Sequence, residues 1–303
     1  MMNDYIAYFN GDWIPYSEVM IHPSDRGFSL GDVVFDTGRT FNGVPFKLKE
    51  HIDRLYRSLT YVRIDPRLSA EDMIEITEEL ISRNEPYRSK VGDFTFTQFV
   101  TRGSGGIGKD AEPTVCVRVL PVSFDRSAEG YKSGVSGVIT KTQSYNPSSI
   151  DPKIKHWSRL NFVLAELEAN DLDPGSMAIL TDANGNITES TGSNVFIVTD
   201  GVLRTAKDDA LLQGVSRAMV FDLAKKLDIP VEEDTLQPYD FYTCDEAFFS
   251  TTSPCILPMT KVDLRTISDG KPGPVTMQLL SAWGEFVGMD IIDQANHFSS
   301  NSS

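Results

Sequence analysis

Cysteine is scarce in this chain, with three residues among 303, Cys116, Cys244 and Cys255, an odd count without a CxxC pair. Such usage argues against a disulfide framework. No run of eighteen apolar residues occurs, and the first fifteen residues lack both a basic n-region and an apolar h-region. Neither a membrane span nor a secretory leader is expected. Positive charge is also short: 28 Lys and Arg face 43 Asp and Glu, for a formal net charge of −15. A field of that sign repels polyanions, so nucleic acid is not an expected partner. The sequence reads as cytoplasmic, with no metal site expected.

Apolar material is not short. Hydrophobic residues make up 40% and aromatics 10%, enough to offset the ordering entropy of a compact fold, and the length suits two domains. Tyr5–Phe9, the turn Asn10-Gly11 and Asp12–Pro15 read as a hairpin. Val33–Phe41, Asn42-Gly43 and Val44–Phe46 read as a second. Leu48, Ile52, Leu55, Leu59 and Val62 then recur at helical spacing, with Arg54 and Arg57 off the stripe. Ser69 and Asp72 form a capping box ahead of Met73, Ile76 and Leu80. Two strand-like stretches follow, at 93–101 and 114–120. Residues 121–130 have loop composition and mark a linker between a small N-terminal α/β domain, 1–120, and a larger C-terminal domain, 131–295. The remainder, 296–303, reads as a disordered tail.

In the second half, strands are expected at 136–140, 177–181, 193–199 and 246–250, and helices at 158–169 and 215–227. The first helix should turn Leu160, Leu164 and Leu167 inward and Arg159, Glu166 and Asn170 to water.

Four segments carry chemistry: I-K-H-W at 154–157, T-E-S-T-G-S-N at 188–194, L-Q-G-V-S-R at 212–217 and S-T-T-S at 250–253. Together they can grip an aromatic, phosphorylated aldehyde. Lys155 lies between Ile154 and Trp157, just ahead of a helix with an apolar face, where desolvation would suit its amine to Schiff-base chemistry, with Lys153 its nearest alternative. Glu189 can face a ring nitrogen and keep it protonated. Gly214 at a helix start lets the Val215 and Ser216 N–H groups meet an anion, with Thr251 and Thr252 as further donors and Arg54 as the fixed positive charge. These are the parts of a pyridoxal 5'-phosphate site, although each alone has a plainer structural reading.

Taken in order, the segments resemble the class IV aminotransferases, the fold type IV pyridoxal phosphate enzymes. The resemblance spans nearly the whole chain and includes S-D-R-G-F at 24–28, V-F-D-T-G-R at 34–39, H-I-D-R-L at 51–55 and C-D-E-A-F at 244–248. It implies an α+β fold whose larger domain has a β-barrel-like core. It also implies a homodimer in which the loop Ser24–Asp32 reaches the partner's site. By the resemblance Lys155 carries the cofactor and shuttles the proton, Glu189 meets the pyridine nitrogen, and Arg54, Val215, Ser216 and Thr252 hold the phosphate. The small-molecule partners would be an amino donor and a 2-oxo acid.

The subclass turns on the substrate carboxylate. Thr97 stands where the branched-chain type resembled here carries an arginine. Ser104–Lys109 lacks the Arg and His that the D-amino acid type carries after T-R-G. The segments at 149–155 and 273–276 look similar to (R)-selective amine transaminases, which makes that subgroup the leading expectation. Lys155-His156 is closer to aminodeoxychorismate lyase, and D-amino acid or branched-chain aminotransferases are the further alternatives. A non-catalytic cofactor-binding protein comes last. Candidates for substrate contact are Phe35, Arg39, Thr97, Lys109 and Trp157.

Overall fold

A computed structural model describes residues 5–105 and 112–299. The chain divides into two compact units. One takes everything up to Val122 together with Ile154–Arg159, and the other takes Ser123–Lys153 and the chain from Leu160 onward.

The N-terminal unit holds strands β1 (Ile6–Phe9) and β2 (Asp12–Pro15), helix α1 (Arg26–Leu30), strands β3 (Val33–Phe41) and β4 (Val44–Pro45), helices α2 (Leu48–Val62) and α3 (Ala70–Val91), and strands β5 (Phe94–Thr101) and β6 (Thr114–Pro121). Its sheet runs β2-β1-β6-β5-β3-β4 and is antiparallel throughout. Asn10 and Gly11 both take positive φ, as the tight hairpin requires. The Ser69–Asp72 capping box starts α3 as expected. On α2 the stripe Leu48, Ile52, Leu55 and Leu59 is buried, and the helix packs beside β3. Arg54, expected off that stripe, is buried as well because β3 offers it a carboxylate partner.

The S-D-R-G turn is braced within this unit. Asp25 caps α1 through the Gly27 N–H and accepts from the hydroxyls of Thr101 and Thr114. Gly27 is required there, since a Cβ would collide with the Thr101 side chain.

The C-terminal unit begins with α4 (Asp125–Ser133), β7 (Val135–Ile139), α5 (Leu160–Leu172), β8 (Met177–Thr181), β9 (Ile187–Ser190), β10 (Asn194–Thr199) and β11 (Val202–Ala206). It continues with α6 (Val215–Lys226), β12 (Val231–Asp234), α7 (Pro238–Thr243), β13 (Glu246–Thr251), β14 (Cys255–Val262), β15 (Arg265–Thr266), α8 (Pro274–Val287) and α9 (Ile291–Ser299). The sheet follows β12-β11-β10-β13-β14-β7-β8-β9, with β15 beside β14. It curls until β9 packs back against β10. The barrel-like core expected for this half is that curled sheet.

Three expectations are corrected here. Residues 125–133 form a helix where composition suggests a loop; Gly130, which reads as a breaker, gives room for the Leu257 side chain of β14. Ordered helix continues through Ser299, beyond the point at 296 where the tail was expected to begin. On α5 the packed face is Phe162, Ala165 and Ala169, set against Val138, Ala178 and Leu180. The leucines expected inside, Leu160, Leu164 and Leu167, are instead exposed, together with Val163. Small alanines allow close approach of helix to sheet, and the bulkier side chains are left outside. Among the described residues no helix is long and apolar enough to cross a membrane.

Candidate active site

In the N-terminal unit, residues 155–157 lie alongside β3. Phe35 N–H donates to the Lys155 carbonyl at 3.0 Å, His156 bridges Val34, and Trp157 N–H donates to the Val33 carbonyl at 3.4 Å. Strand alternation therefore sends Lys155 and Trp157 to one face and His156 to the other. Lys155 Nζ sits 4.8 Å from the centre of the Phe35 ring. The Trp157 ring is 5.0 Å from Phe35 and 4.9 Å from Phe99. An aromatic wall thus stands beside the amine. On that same sheet face the Thr37 and Thr97 hydroxyls meet at 3.1 Å. Arg39, next along β3, is buried with its guanidinium 4.0 Å over the Phe41 ring and its Nε donating to the Thr40 carbonyl.

The opposite face of β3 holds a buried ionic cluster. Asp36, fully buried, accepts from Arg54 Nε at 2.7 Å and Nη2 at 2.8 Å. A carboxylate only accepts, so His51 Nδ1 is the donor in the 2.7 Å contact with Asp36. Burial alone would raise the Asp36 carboxyl, but the Arg54 guanidinium and the His51 hydrogen bond outweigh it and hold the group well below the usual carboxylate range. Burial pushes His51 down, with Asp36 opposing and the Arg54 and Lys155 charges adding to the depression. His156 is pushed to about 4 by burial and by the cationic Arg159 and Lys155. Its Nδ1 accepts from the Ser158 N–H at 3.2 Å, so at neutral pH the ring is the neutral tautomer protonated on Nε2. Backbone links tie the cluster to the lysine: Lys155 N–H donates to Ser58 Oγ at 3.2 Å, and that hydroxyl donates to the Arg54 carbonyl at 3.1 Å.

In the C-terminal unit, Glu189 lies on β9, is 5% exposed, and accepts the Leu212 N–H at 3.1 Å. Gly214 opens α6 with no side-chain cap. The first N–H groups of a helix have no intrahelical partner, so those of Val215 and Ser216 stand at the positive end of the helix dipole. A Cβ on Gly214 would collide with Asn194 Oδ1. Thr251 ends β13, with its hydroxyl donating to the Gly192 carbonyl at 3.1 Å, and Thr252 follows it in the turn to β14. Ser190, Ser193 and Ser250 bring buried hydroxyls with no hydrogen-bond partner to the ends of β9, β10 and β13.

Each unit by itself holds groups of the kind that suit pyridoxal 5'-phosphate. In the C-terminal unit an uncapped helix start opening on a glycine suits a phosphate and a buried carboxylate suits a ring nitrogen; in the N-terminal unit a lysine beside aromatic rings suits an aldehyde. Of the residues singled out in sequence, Phe35, Arg39, Thr97, Lys155 and Trp157 share one face of the first sheet. Glu189, Gly214, Val215 and Ser216 gather around Leu212–Ser216. Arg54 belongs to the ionic cluster behind β3, and Lys109 lies outside the described residues. Asp36, His51, Asn194 and the Leu212 peptide were not found by sequence reasoning. The three-residue spacing of His51 and Arg54 on α2 was the available signal for two partners of one group.

Residues 33–262 match the family of class IV aminotransferases. The chain is 34% identical over 277 residues to a putative branched-chain-amino-acid aminotransferase of Methanocaldococcus jannaschii, covering 90% of this chain and 93% of that one. It is 31% identical to a D-alanine aminotransferase of Listeria monocytogenes, covering 89% and 92%. The branched-chain amino acid aminotransferase of Escherichia coli superposes with a TM-score of 0.85 at 26% identity, over 94% of both chains. The chain belongs to the class IV aminotransferases, with their fold type IV architecture and their cofactor, pyridoxal 5'-phosphate.

Proposed function

We propose that this aminotransferase exchanges an amino group between an amino acid with an apolar side chain and a 2-oxo acid. The observation that carries the reading is the wall of Phe35, Phe99 and Trp157 beside the Lys155 amine, which favours an apolar substituent at the reacting carbon. Relatives named for branched-chain amino acids and for D-alanine agree with such a donor.

When bound, the cofactor supplies an electron-withdrawing ring that stabilises charge at the reacting carbon. In this reading Lys155 Nζ would hold the cofactor at its aldehyde carbon, and the same amine would move the proton at the donor's reacting carbon. Glu189 holds a proton at the ring nitrogen. Within the C-terminal unit the Val215 and Ser216 N–H groups and the Thr251 and Thr252 segment would bind the phosphate; Arg54 is the cation that the N-terminal unit offers to such an anion. Asp36 aims the Arg54 guanidinium by a two-point contact.

An amine donor is the second reading. It is favoured by the Thr37–Thr97 hydroxyl pair, which offers hydrogen bonds without a guanidinium fork. Supplying L-leucine, D-alanine and (R)-1-phenylethylamine in turn, with 2-oxoglutarate or pyruvate as acceptor, separates the two. Turnover of an amino acid with little from the amine is expected; the reverse order would replace the first reading by the second.

The active species in this reading is a homodimer, supported by the uncovered face Leu160, Val163, Leu164 and Leu167 of α5. Light scattering should give twice the chain mass for the wild type and less for Leu164→Glu/Leu167→Glu. A monomeric wild type would refute it.

A further inference from the structure

One residue in the C-terminal unit, Leu212, is held at both its N–H and its carbonyl by side chains from different strands. The Leu212 N–H donates to Glu189 Oε2 at 3.1 Å, and the Leu212 carbonyl accepts from Asn194 Nδ2 at 3.0 Å. Asn194 is 4% exposed and opens β10 opposite Ser250. Because the carbonyl needs a donor, the orientation of the Asn194 amide is fixed, and its Oδ1 then lies against Gly214. A single amide group therefore touches both the residue that holds Glu189 and the glycine that starts the anion-binding turn. Only Gln213 separates the two contacts, so the linking backbone has little slack.

We propose that Asn194 is a positioning residue that sets the spacing between the Glu189 carboxylate and the turn at Gly214. This rests on the reading of Glu189 as the ring-nitrogen partner and of Gly214–Ser216 as the phosphate site. Pyridoxal 5'-phosphate is rigid between its ring nitrogen and the first atom of its phosphate arm, and a site must hold such groups to within about half an ångström. Both ends are gripped at full strength only when the backbone between Leu212 and Gly214 is fixed. Asn194 reaches the cofactor only through that backbone.

The test uses full-length protein freed of cofactor, titrated with pyridoxal 5'-phosphate and with pyridoxal, and followed by the visible absorption of the bound species. Asn194→Ala should weaken pyridoxal 5'-phosphate binding roughly tenfold, the loss of one buried hydrogen bond, and weaken pyridoxal binding less. In a double-mutant cycle with Glu189→Gln the two losses should not add. Asn194→Asp keeps the shape but cannot donate while ionised. It should bind weakly at pH 8 and recover toward pH 5, where the neutral acid donates to the Leu212 carbonyl; a merely structural role gives no such recovery. If Asn194→Ala does not fold, the near-isosteric Asp variant decides alone.

Wild-type affinity in both variants, equal losses for the two ligands, or additive losses with Glu189→Gln would each overturn the inference while leaving the site assignment intact. Equal wild-type affinity for pyridoxal and pyridoxal 5'-phosphate would instead remove the phosphate site itself, and the inference with it.

Discussion

In the N-terminal unit the groups assigned to the cofactor are side chains held by other side chains: Arg54 by Asp36, Asp36 by His51, and Lys155 among aromatic rings. In the C-terminal unit the groups proposed for the phosphate are largely backbone N–H groups, held because Leu212 is pinned by Glu189 and Asn194 and because Gly214 has no Cβ. The two strategies fail differently. A side-chain cluster is broken by removing a charge, which leaves its partner buried and alone. A backbone cradle is broken by adding atoms or by loosening the peptide that shapes it.

The largest effect is expected from Lys155→Ala, because no backbone group can replace the amine. Turnover should fall by about a thousandfold or more, within the range for loss of a proton-transferring group. Single-turnover kinetics would check it, with Lys153→Ala as the neighbour expected to keep its rate. Asp36→Ala comes next. It removes both charge-assisted contacts of the Arg54 Nε and Nη2 groups in a site only 4% exposed, at a cost of about 3–5 kcal/mol in urea unfolding. Stability close to wild type would mean that Arg54 finds other partners and that the cluster does not hold it.

The same contrast explains what could be read in the sequence. Lys155, Glu189 and Gly214 were legible because their neighbours form ordered motifs whose chemistry is tied to residue type. Asp36 was not, since a carboxylate in a β-rich run reveals neither its face nor its partner. Asn194 read only as the start of an apolar strand, because its role depends on a turn eighteen residues later. The α5 leucines misled for a further reason. Phe162, Ala165 and Ala169 form a rival face at the same helical spacing, and only packing against β8 chooses between them. Strand β14 was missed because Pro258 argues against a central strand. Its pairing to β7 begins one residue later, at Met259.

Glu246, within the C-D-E-A-F segment, shows a side chain serving backbone in the C-terminal unit. It accepts from the N–H groups of Val275 and Thr276 and from the Thr276 hydroxyl, capping α8 from outside that helix. Glu246→Ala should cost about 2 kcal/mol of stability, as buried donors lose a charged acceptor. Thermal unfolding would show it, and the cofactor's visible band should not move. A shifted band would place Glu246 in the cofactor's surroundings.

The smallest effect at neutral pH, and the clearest in its pH course, is expected at His156. Its folded value of about 4 lies below the ordinary 6.5 through burial and the Arg159 and Lys155 charges. Between those two values the unfolded chain binds a proton on this ring and the folded chain does not. Stability is therefore complete above pH 6.5 and is lost as the pH falls toward 4, by an amount on the order of 3 kcal/mol at the acid end. Asn at 156 would retain an acceptor for the Ser158 N–H while removing the titration. His156→Asn should thus match the wild type at pH 7.5 to within about 0.5 kcal/mol and become the more stable protein as the pH drops. Other carboxylates, Asp36 among them, bend both curves alike, so the difference between the two urea-unfolding series isolates the ring. Curves that stay parallel from pH 6.5 to 4 would mean that His156 titrates normally and that the side of β3 facing it is wetter than its burial indicates.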